Sequence, residues 1–268
     1  MTGFNPKIWG DSGFFFWVCQ FILALAFDML KVISDSIVSI LYPQACGICK
    51  QSVENSADGA ACRGCWEQTK IFSRRDILCY KCGVFLRESD HPTETFCRRC
   101  DNHFYDSAHA IGVYDKALAA AIIYLKHVPS VAKTTRKYLI ETYKSNSFQD
   151  INLIIPVPLS KKRLLERGFN QAAVIARIVA KSSGVALDEH SLIRTSHTPM
   201  HRAAMDRKAR ELTVKNAFAV TRPNLIVNKN ILLIDDVFTS GSTTSYCAKI
   251  LKKNGASSVK VLTLARAV

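Results

Sequence analysis

The segment that most restricts the possible folds is Ile231-Leu232-Leu233-Ile234-Asp235-Asp236-Val237-Phe238-Thr239-Ser240-Gly241-Ser242-Thr243. Four apolar residues of strand length end in two adjacent carboxylates, and a loop of small, hydroxyl-bearing residues follows. Residues 242–253 have the pattern of a helix that Gly255 terminates, and residues 259–265 have that of another strand. Strand, helix and strand in this order predict a parallel crossover and therefore an α/β fold.

The loop after the first of these strands has the composition of an anion site. Ligands of open parallel sheets bind just beyond the carboxyl ends of the strands. Backbone N–H groups, hydroxyls and the positive end of the following helix all suit a phosphate. We therefore predict that Thr239, Ser240, Gly241, Ser242 and Thr243 surround one phosphate. No Gly-Lys-Ser/Thr follows, which excludes a Walker loop.

Two carboxylates beside an anion site are unsuited to the phosphate itself. Asp235 and Asp236 suit the hydroxyls of a ribose that carries a 5′-phosphate, with Mg²⁺ nearby. The other interpretation is that the pair caps a turn. The pattern of strand, Asp-Asp and small-residue loop is similar to the motif of type I phosphoribosyltransferases, which bind phosphoribosyl pyrophosphate (PRPP).

Eight of the ten cysteines form four C-x2-C pairs, separated by 12, 13 and 14 residues. Two such pairs complete a tetrahedral zinc shell and leave no open position for catalysis. The spacing predicts two structural zinc ions; consecutive and crossed pairings both remain possible. The predicted ligands are Cys46, Cys49, Cys62, Cys65, Cys79, Cys82, Cys97 and Cys100. Zinc with reduced thiols indicates the cytoplasm, and Cys19 and Cys247 are interpreted as small buried side chains.

A second motif lies upstream of the Asp pair. It consists of Ile154-Ile155-Pro156-Val157-Pro158, then Lys161-Lys162-Arg163, then Glu166-Arg167-Gly168-Phe169-Asn170-Gln171. With the cysteine pairs and the Asp235-Asp236 loop, it resembles the ComF family over roughly residues 36–268. The resemblance implies a type I phosphoribosyltransferase-like parallel sheet flanked by helices, a small N-terminal double zinc ribbon, and a link to DNA uptake.

The resemblance also implies roles for basic residues. Arg163 and Arg167 would contact pyrophosphate, and a guanidinium fork does suit a diphosphate. The alternative is a solvated basic turn. Residues 202–210 would match the family's mobile loop over the site.

Three segments are predicted along the chain. Residues 1–45 form an apolar helical extension, whose run from Phe14 to Phe27 is too short to span a membrane. Association with a membrane surface, or a signal or anchor, are the alternatives. Residues 46–100 form the zinc module, and residues 101–268 the phosphoribosyltransferase-like domain. Within the latter, the pattern predicts strands at 108–114 and 151–155, and helices at 118–125, 131–143 and 171–181, with Asn170 as an N-cap.

A hydrophobic share of 48% and a charged share of 22% are typical of a packed globular protein and exclude extended disorder. The net charge is +14, and most of it lies in residues 151–268. Such a bias suits phosphate ligands or nucleic acid, or reflects a solvated basic face. We therefore expect a phosphoribosyltransferase that uses PRPP and Mg²⁺, with an acceptor that the sequence does not identify. The alternative is a non-catalytic, PRPP- or nucleotide-sensing competence factor that binds single-stranded DNA or the uptake machinery.

Overall fold

The computed structural model describes residues 44–54, 59–86, 96–97, 100, 102–146, 148–195 and 217–268. The expectations for the apolar N-terminal segment, for Cys19 and for residues 202–210 lie outside these residues. In the part of the chain that is described, no helix has both the length and the apolar character needed to cross a membrane.

A short first helix precedes the seven strands and the five further helices of the described residues. The strands are β1 (Ser107–Val113), β2 (Leu153–Pro156), β3 (Ala186–Leu187), β4 (Leu192–Arg194), β5 (Phe218–Val220), β6 (Asn230–Phe238) and β7 (Ser258–Arg266). The helices are α1 (Arg63–Glu67), α2 (Lys116–Leu125), α3 (Lys133–Ser145), α4 (Lys161–Arg167), α5 (Gln171–Ser183) and α6 (Ser242–Lys253). Pro223–Leu225 forms a turn of 3₁₀ helix.

Five strands form a parallel sheet in the order β1-β7-β6-β2-β3. Alternate residues of β6 point to opposite faces, as the period of a strand requires. Leu232 and Ile234 join a core cluster with α2, α3 and α5, whereas Ile231 and Leu233 join a second cluster with α6. The predicted fold class, a parallel sheet flanked by helices with a small cysteine-rich N-terminal module, is confirmed.

The cysteine-rich segment, which is the predicted zinc module at residues 46–100, lies against β1, the outer strand of the sheet. Ile71 pairs in antiparallel fashion with Gly112 of β1, where the N–H of Phe72 donates to the oxygen of Ile111 (2.8 Å) and the N–H of Val113 to the oxygen of Lys70 (3.0 Å). Cysteines of the first two pairs pack into one core cluster, and those of the last two pairs into the other. Each half of the segment is thus attached to a different face of the sheet. The division between residues 100 and 101 stays a prediction.

Some predicted boundaries were wrong. The strand expected at 231–234 continues through the Asp pair to Phe238, because β6 pairs with β7 over its whole length. No helix was predicted for the basic segment, which forms α4, and the antiparallel pair β4–β5 was not predicted either. The helix at 242–253 has the predicted bounds, and the Asn170 side chain caps α5 by accepting from the N–H of Ala172 (3.1 Å).

Gly112 provides a test of the edge contact. A Cβ at this position would overlap the carbonyl oxygen of Lys70, which must stay close for the two segments to pair. We expect Gly112→Ala to lower the free energy of unfolding by about 1–3 kcal/mol, measured by urea denaturation. Gly64→Ala in α1 is the matched control, since a Cβ there meets no atom within 4 Å. Equal stability of the two variants would show that the contact at β1 is not tight.

Candidate functional site

The eight paired cysteines form two compact groups. The first cysteine tetrad contains Cys46, Cys49, Cys62 and Cys65, and the second cysteine tetrad contains Cys79, Cys82, Cys97 and Cys100. Consecutive pairing is therefore the arrangement adopted, and the crossed alternative was wrong. Of the two cysteines outside the pairs, Cys247 is buried as predicted.

The geometry of both tetrads fits a zinc ion held by four thiolates. Within each tetrad all sulfurs lie within 4.8 Å of one another. The Sγ atoms of Cys46 and Cys65 are 3.7 Å apart and those of Cys79 and Cys100 are 3.6 Å apart. A tetrahedron with Zn–S bonds of about 2.3 Å has sulfurs about 3.8 Å apart. In addition, the N–H of Cys97 donates to the sulfur of Cys79 (3.2 Å), which favours a thiolate.

A cleft of about 430 Å³ opens where β6 extends beyond the end of its neighbour β2. β2 pairs with β6 only as far as Pro156 opposite Ile234, whereas β7 accompanies β6 to Phe238. Asp235 and Asp236 therefore lie on a stretch of β6 whose other side is open. The charged and hydroxyl side chains that line the cleft are Lys126, Arg163, Arg167, Arg194, Asp235, Asp236, Thr239, Thr243 and Tyr114.

Helix α4 presents the two predicted arginines to the cleft. Its N-cap is Ser160, whose hydroxyl accepts from the N–H of Arg163 (3.4 Å), and it ends at Gly168 with φ 76°. Arg163 and Arg167 are four residues apart and therefore share one face of the helix. The guanidinium of Arg167 is oriented by a hydrogen bond to Oε1 of Gln171 (2.8 Å). The structure thus brings both arginines to the Asp pair.

Only some residues of the predicted phosphate loop line the cleft. Thr239 and Thr243 line it, whereas Gly241 and Ser242 are buried. The hydroxyls of Ser240 and Ser242 lie 2.9 Å from each other, and Gly241 has φ 75° immediately before α6. A Cβ on Gly241 would come within 2.5 Å of Cζ of Phe238, so the tight turn requires glycine.

The charges in the cleft perturb one another. Burial, and next the carboxylate of Asp236, raises the pKa of Asp235 well above its usual value. Burial, and next the positive charge of Arg163, lowers the pKa of Arg194. A ligand that offers hydroxyls or a cation to the carboxylates and anionic oxygens to the guanidinium groups would favour the charged form of both Asp235 and Arg194.

Several cleft residues were not predicted as part of the site. Lys126 is the C-cap residue of α2 and was not assigned a role in the site. Arg194 ends β4 and lies over the ring of Phe218 on β5 (5.3 Å), a placement that depends on tertiary pairing. Gln171 is 2% exposed, and its Nε2 has no hydrogen-bond partner among the described residues.

Comparison with known proteins identifies a domain family and several similar sequences. Residues 37–105 match the family model described as "Double zinc ribbon domain". The DNA utilization protein YhgH of Salmonella typhimurium is 28% identical over 234 residues, which are 84% of this chain and 97% of that protein. Competence protein F of Haemophilus influenzae is 27% identical over 83% of this chain and 96% of its own length. The resemblance to the ComF family is confirmed. Competence protein ComFC of Bacillus subtilis adds 36% identity over 115 residues, 42% of this chain and 44% of that protein.

Solved structures with partial similarity include two whose names refer to phosphoribosyl compounds. Glutamine PRPP amidotransferase from B. subtilis matches 48% of this chain with 17% identity and a TM-score of 0.33, and the chain spans about a quarter (26%) of its length. Purine phosphoribosyltransferase from Pyrococcus horikoshii matches 50% of this chain and 70% of its own, with 16% identity and a TM-score of 0.30.

Metal content tests the two cysteine tetrads directly. We expect the protein purified without chelator to carry two zinc ions per chain, because eight thiolates fill two tetrahedra. Elemental analysis measures the ratio, and mass spectrometry of alkylated protein counts disulfides. A ratio of one, or disulfides among these cysteines, would contradict the two-site assignment. Cys→Ser changes at the ligands should lower stability, because an apo tetrad leaves its half of the segment without a core.

Proposed function

We propose that the chain binds PRPP in the cleft and acts as a phosphoribosyltransferase. One observation carries the proposal: paired guanidinium groups, paired carboxylates and two threonines converge on a single cleft of about 430 Å³. Together they suit a molecule with a diphosphate, a diol and a monophosphate. The names of the ComF relatives refer to competence and DNA utilization, and we propose that the activity serves DNA uptake.

Each group has a proposed role. Thr239, Thr243 and the first turn of α6 receive the 5′-phosphate. Asp235 and Asp236 accept hydrogen bonds from the ribose hydroxyls, and Arg163 with Arg167 binds the pyrophosphate. Ser240, Gly241 and Ser242 hold the turn in shape and contribute backbone N–H groups.

Magnesium is the proposed metal of this site. Asp235 and Asp236 provide hard oxygen ligands. Burial, and next the carboxylate of Asp236, raises the pKa of Asp235, and a bound divalent cation would favour its ionised form. When bound, Mg²⁺ would neutralise charge on the diphosphate. Lys126 and Arg194 supply further positive charge at the cleft.

The reaction requires little covalent participation by the protein. The bond between ribose C1 and pyrophosphate breaks and its electron pair leaves with pyrophosphate, while the acceptor forms a new bond to C1 and loses a proton to solvent. Charge develops on the ribose and on the leaving group. The Asp and Arg pairs are positioned to stabilise these charges and to fix the ribose for attack. We propose that residues 101–125 form part of the acceptor pocket, since Tyr114 lines the cleft.

A second candidate function is single-stranded DNA binding in the cytoplasm during DNA uptake. Helix α4 exposes Lys161, Lys162 and Leu165 beside the cleft, and Phe169 follows it half-buried. Basic groups near apolar and aromatic surface suit a single strand. Catalysis separates the two candidates: release of pyrophosphate from PRPP, when bases and nucleotides are offered as acceptors, supports the transferase.

The Asp pair gives the sharpest test of PRPP binding. Asp235→Asn and Asp236→Asn remove a charged acceptor with little change of volume, and a charged hydrogen bond contributes about 1.5–3 kcal/mol. We expect each change to weaken PRPP binding in the presence of Mg²⁺ about ten- to a hundredfold, measured by thermal-shift titration or calorimetry. The melting temperature without ligand should not fall at neutral pH. Folding raises the pKa of Asp235, so its ionised form opposes folding above that pKa.

Asp150→Asn is the control for the Asp pair, because this carboxylate pairs with Lys260 away from the cleft (2.7 Å). It should leave PRPP affinity unchanged. Loss of stability with unchanged PRPP affinity in the Asp235 and Asp236 variants would mean that the pair is a structural cap.

Salt dependence tests the DNA candidate. If residues of α4 bind the backbone of a single strand, its affinity should fall steeply between low and moderate salt, with little sequence preference. Lys161→Gln combined with Lys162→Gln should weaken binding and flatten this dependence, as fluorescence anisotropy with an oligonucleotide would show. Affinity that does not change with salt would remove DNA as a direct partner.

A further inference from the structure

Arg266, at the end of β7, is a buried cation attached to the second cysteine tetrad. The residue is 7% exposed, its Nη1 donates to the carbonyl oxygen of Cys82, and its Nη2 lies 3.6 Å from the sulfur of Cys82. Within the described part of the chain, no carboxylate forms an ion pair with it. A buried guanidinium requires nearby negative charge. Four thiolates around one Zn²⁺ carry a net charge of about −2 and would provide it.

The same guanidinium also contacts the residue that precedes the predicted phosphate loop. Its central carbon lies 4.7 Å from the centre of the Phe238 ring, in a cation–π contact. Phe238 immediately precedes Thr239, and its ring occupies the space beneath Gly241. Arg266 therefore touches both a metal-ligating cysteine and the base of the predicted phosphate loop.

The residues that follow the second tetrad make a second set of contacts with the phosphate loop and α6. Beyond Cys100, the N–H of Phe104 donates to the hydroxyl of Ser245 in α6 (3.1 Å). His103 packs against Gly241, and the ring of Tyr105 meets that of Phe238 edge-on with centroids 5.8 Å apart. The loop and the start of α6 thus contact residues that follow closely after Cys100, the last ligand of the second tetrad.

The first tetrad has different neighbours. Gly47 lies against Ala120 of α2, and the ring of Trp66 lies 5.7 Å from that of Tyr138 in α3. These helices cover the opposite face of the sheet from α6. The two tetrads have similar sulfur geometry, but the contacts to the phosphate loop come from the second.

We propose that the second cysteine tetrad, acting through Arg266, holds residues 238–241 in the ligand-binding conformation, so that zinc occupancy of this tetrad controls affinity in the cleft. Arg266 is a positioning residue, since it acts through Phe238. The identity of the ligand rests on the proposed function, whereas the coupling between tetrad and loop does not. Because coupling between two sites is reciprocal, a ligand in the cleft should also slow zinc loss from the second tetrad.

A matched pair of ligand variants tests the coupling in the full chain. Cys97→Ser and Cys49→Ser each remove one of the less buried sulfurs, from the second and the first tetrad respectively. We expect Cys97→Ser to speed amide hydrogen exchange in residues 238–245, detected by mass spectrometry, and to weaken PRPP affinity about tenfold. Cys49→Ser should lose zinc without either effect. Equal effects of the two variants would overturn the proposal. So would unchanged exchange and unchanged PRPP affinity in Cys97→Ser after its second tetrad has been shown to lack zinc.

Arg266 variants test the route. In Arg266→Met we expect one of the two zinc ions to be lost faster to a chelator and the exchange of residues 238–245 to increase. Arg266→Lys should retain zinc better than Arg266→Met but leave the loop loose, because lysine keeps the charge and lacks the planar fork. Arg177→Met, which breaks an exposed pair with Glu189, is the control and should change neither measurement. Unchanged exchange and unchanged zinc loss in Arg266→Met would refute its role.

The readouts separate this proposal from the proposed function. If the wild-type chain fails to bind PRPP, the phosphoribosyltransferase assignment fails, while hydrogen exchange and zinc release still decide whether the second tetrad supports the loop. If PRPP binds but these two measurements show no difference between Cys97→Ser and Cys49→Ser, only the coupling is refuted.

Discussion

The unequal pairing of β6 with its two neighbours is the constraint on which the site depends. β7 hydrogen-bonds along β6 from Asn230 to Phe238, which fixes the extended backbone beneath both aspartates. β2 stops opposite Ile234, so the strand edge beside the aspartates is left for a ligand. The turn after Pro156 then leads into α4, whose arginines face that edge. A longer β2 would pair with the open edge and close the cleft.

The cysteine-rich segment packs against both faces of the small sheet and pairs with one of its edges. Its two halves add few apolar residues of their own, and each is joined to a core cluster that belongs mainly to the sheet and its helices. Metal binding at the two tetrads therefore contributes to the stability of the whole protein. The residues after Cys100 also lie against the phosphate loop, so the second tetrad has a connection to that loop that the first does not share.

Local signals predicted much of this architecture. The apolar run at 231–234, the hydroxyl-rich loop and Gly255 were sufficient for β6, α6 and β7, and cysteine spacing was sufficient for the two metal-binding groups. The end of β6 was missed because it is set by pairing with Thr263 and Ala265, which lie on a strand remote in sequence. Helix α4 was missed because so short a helix gives little periodicity, although Ser160 and Gly168 are recognisable caps. Arg194 reaches the cleft through the β4–β5 pairing, which no local pattern indicates.

The most direct test of the central claim is a crystal structure of the protein with PRPP and Mg²⁺. The account predicts the 5′-phosphate within hydrogen-bond distance of Thr239 and Thr243, the ribose hydroxyls at Asp235 and Asp236, and the diphosphate at Arg163 and Arg167. A ligand bound elsewhere, or bound in the cleft with its ribose away from both aspartates, would contradict it.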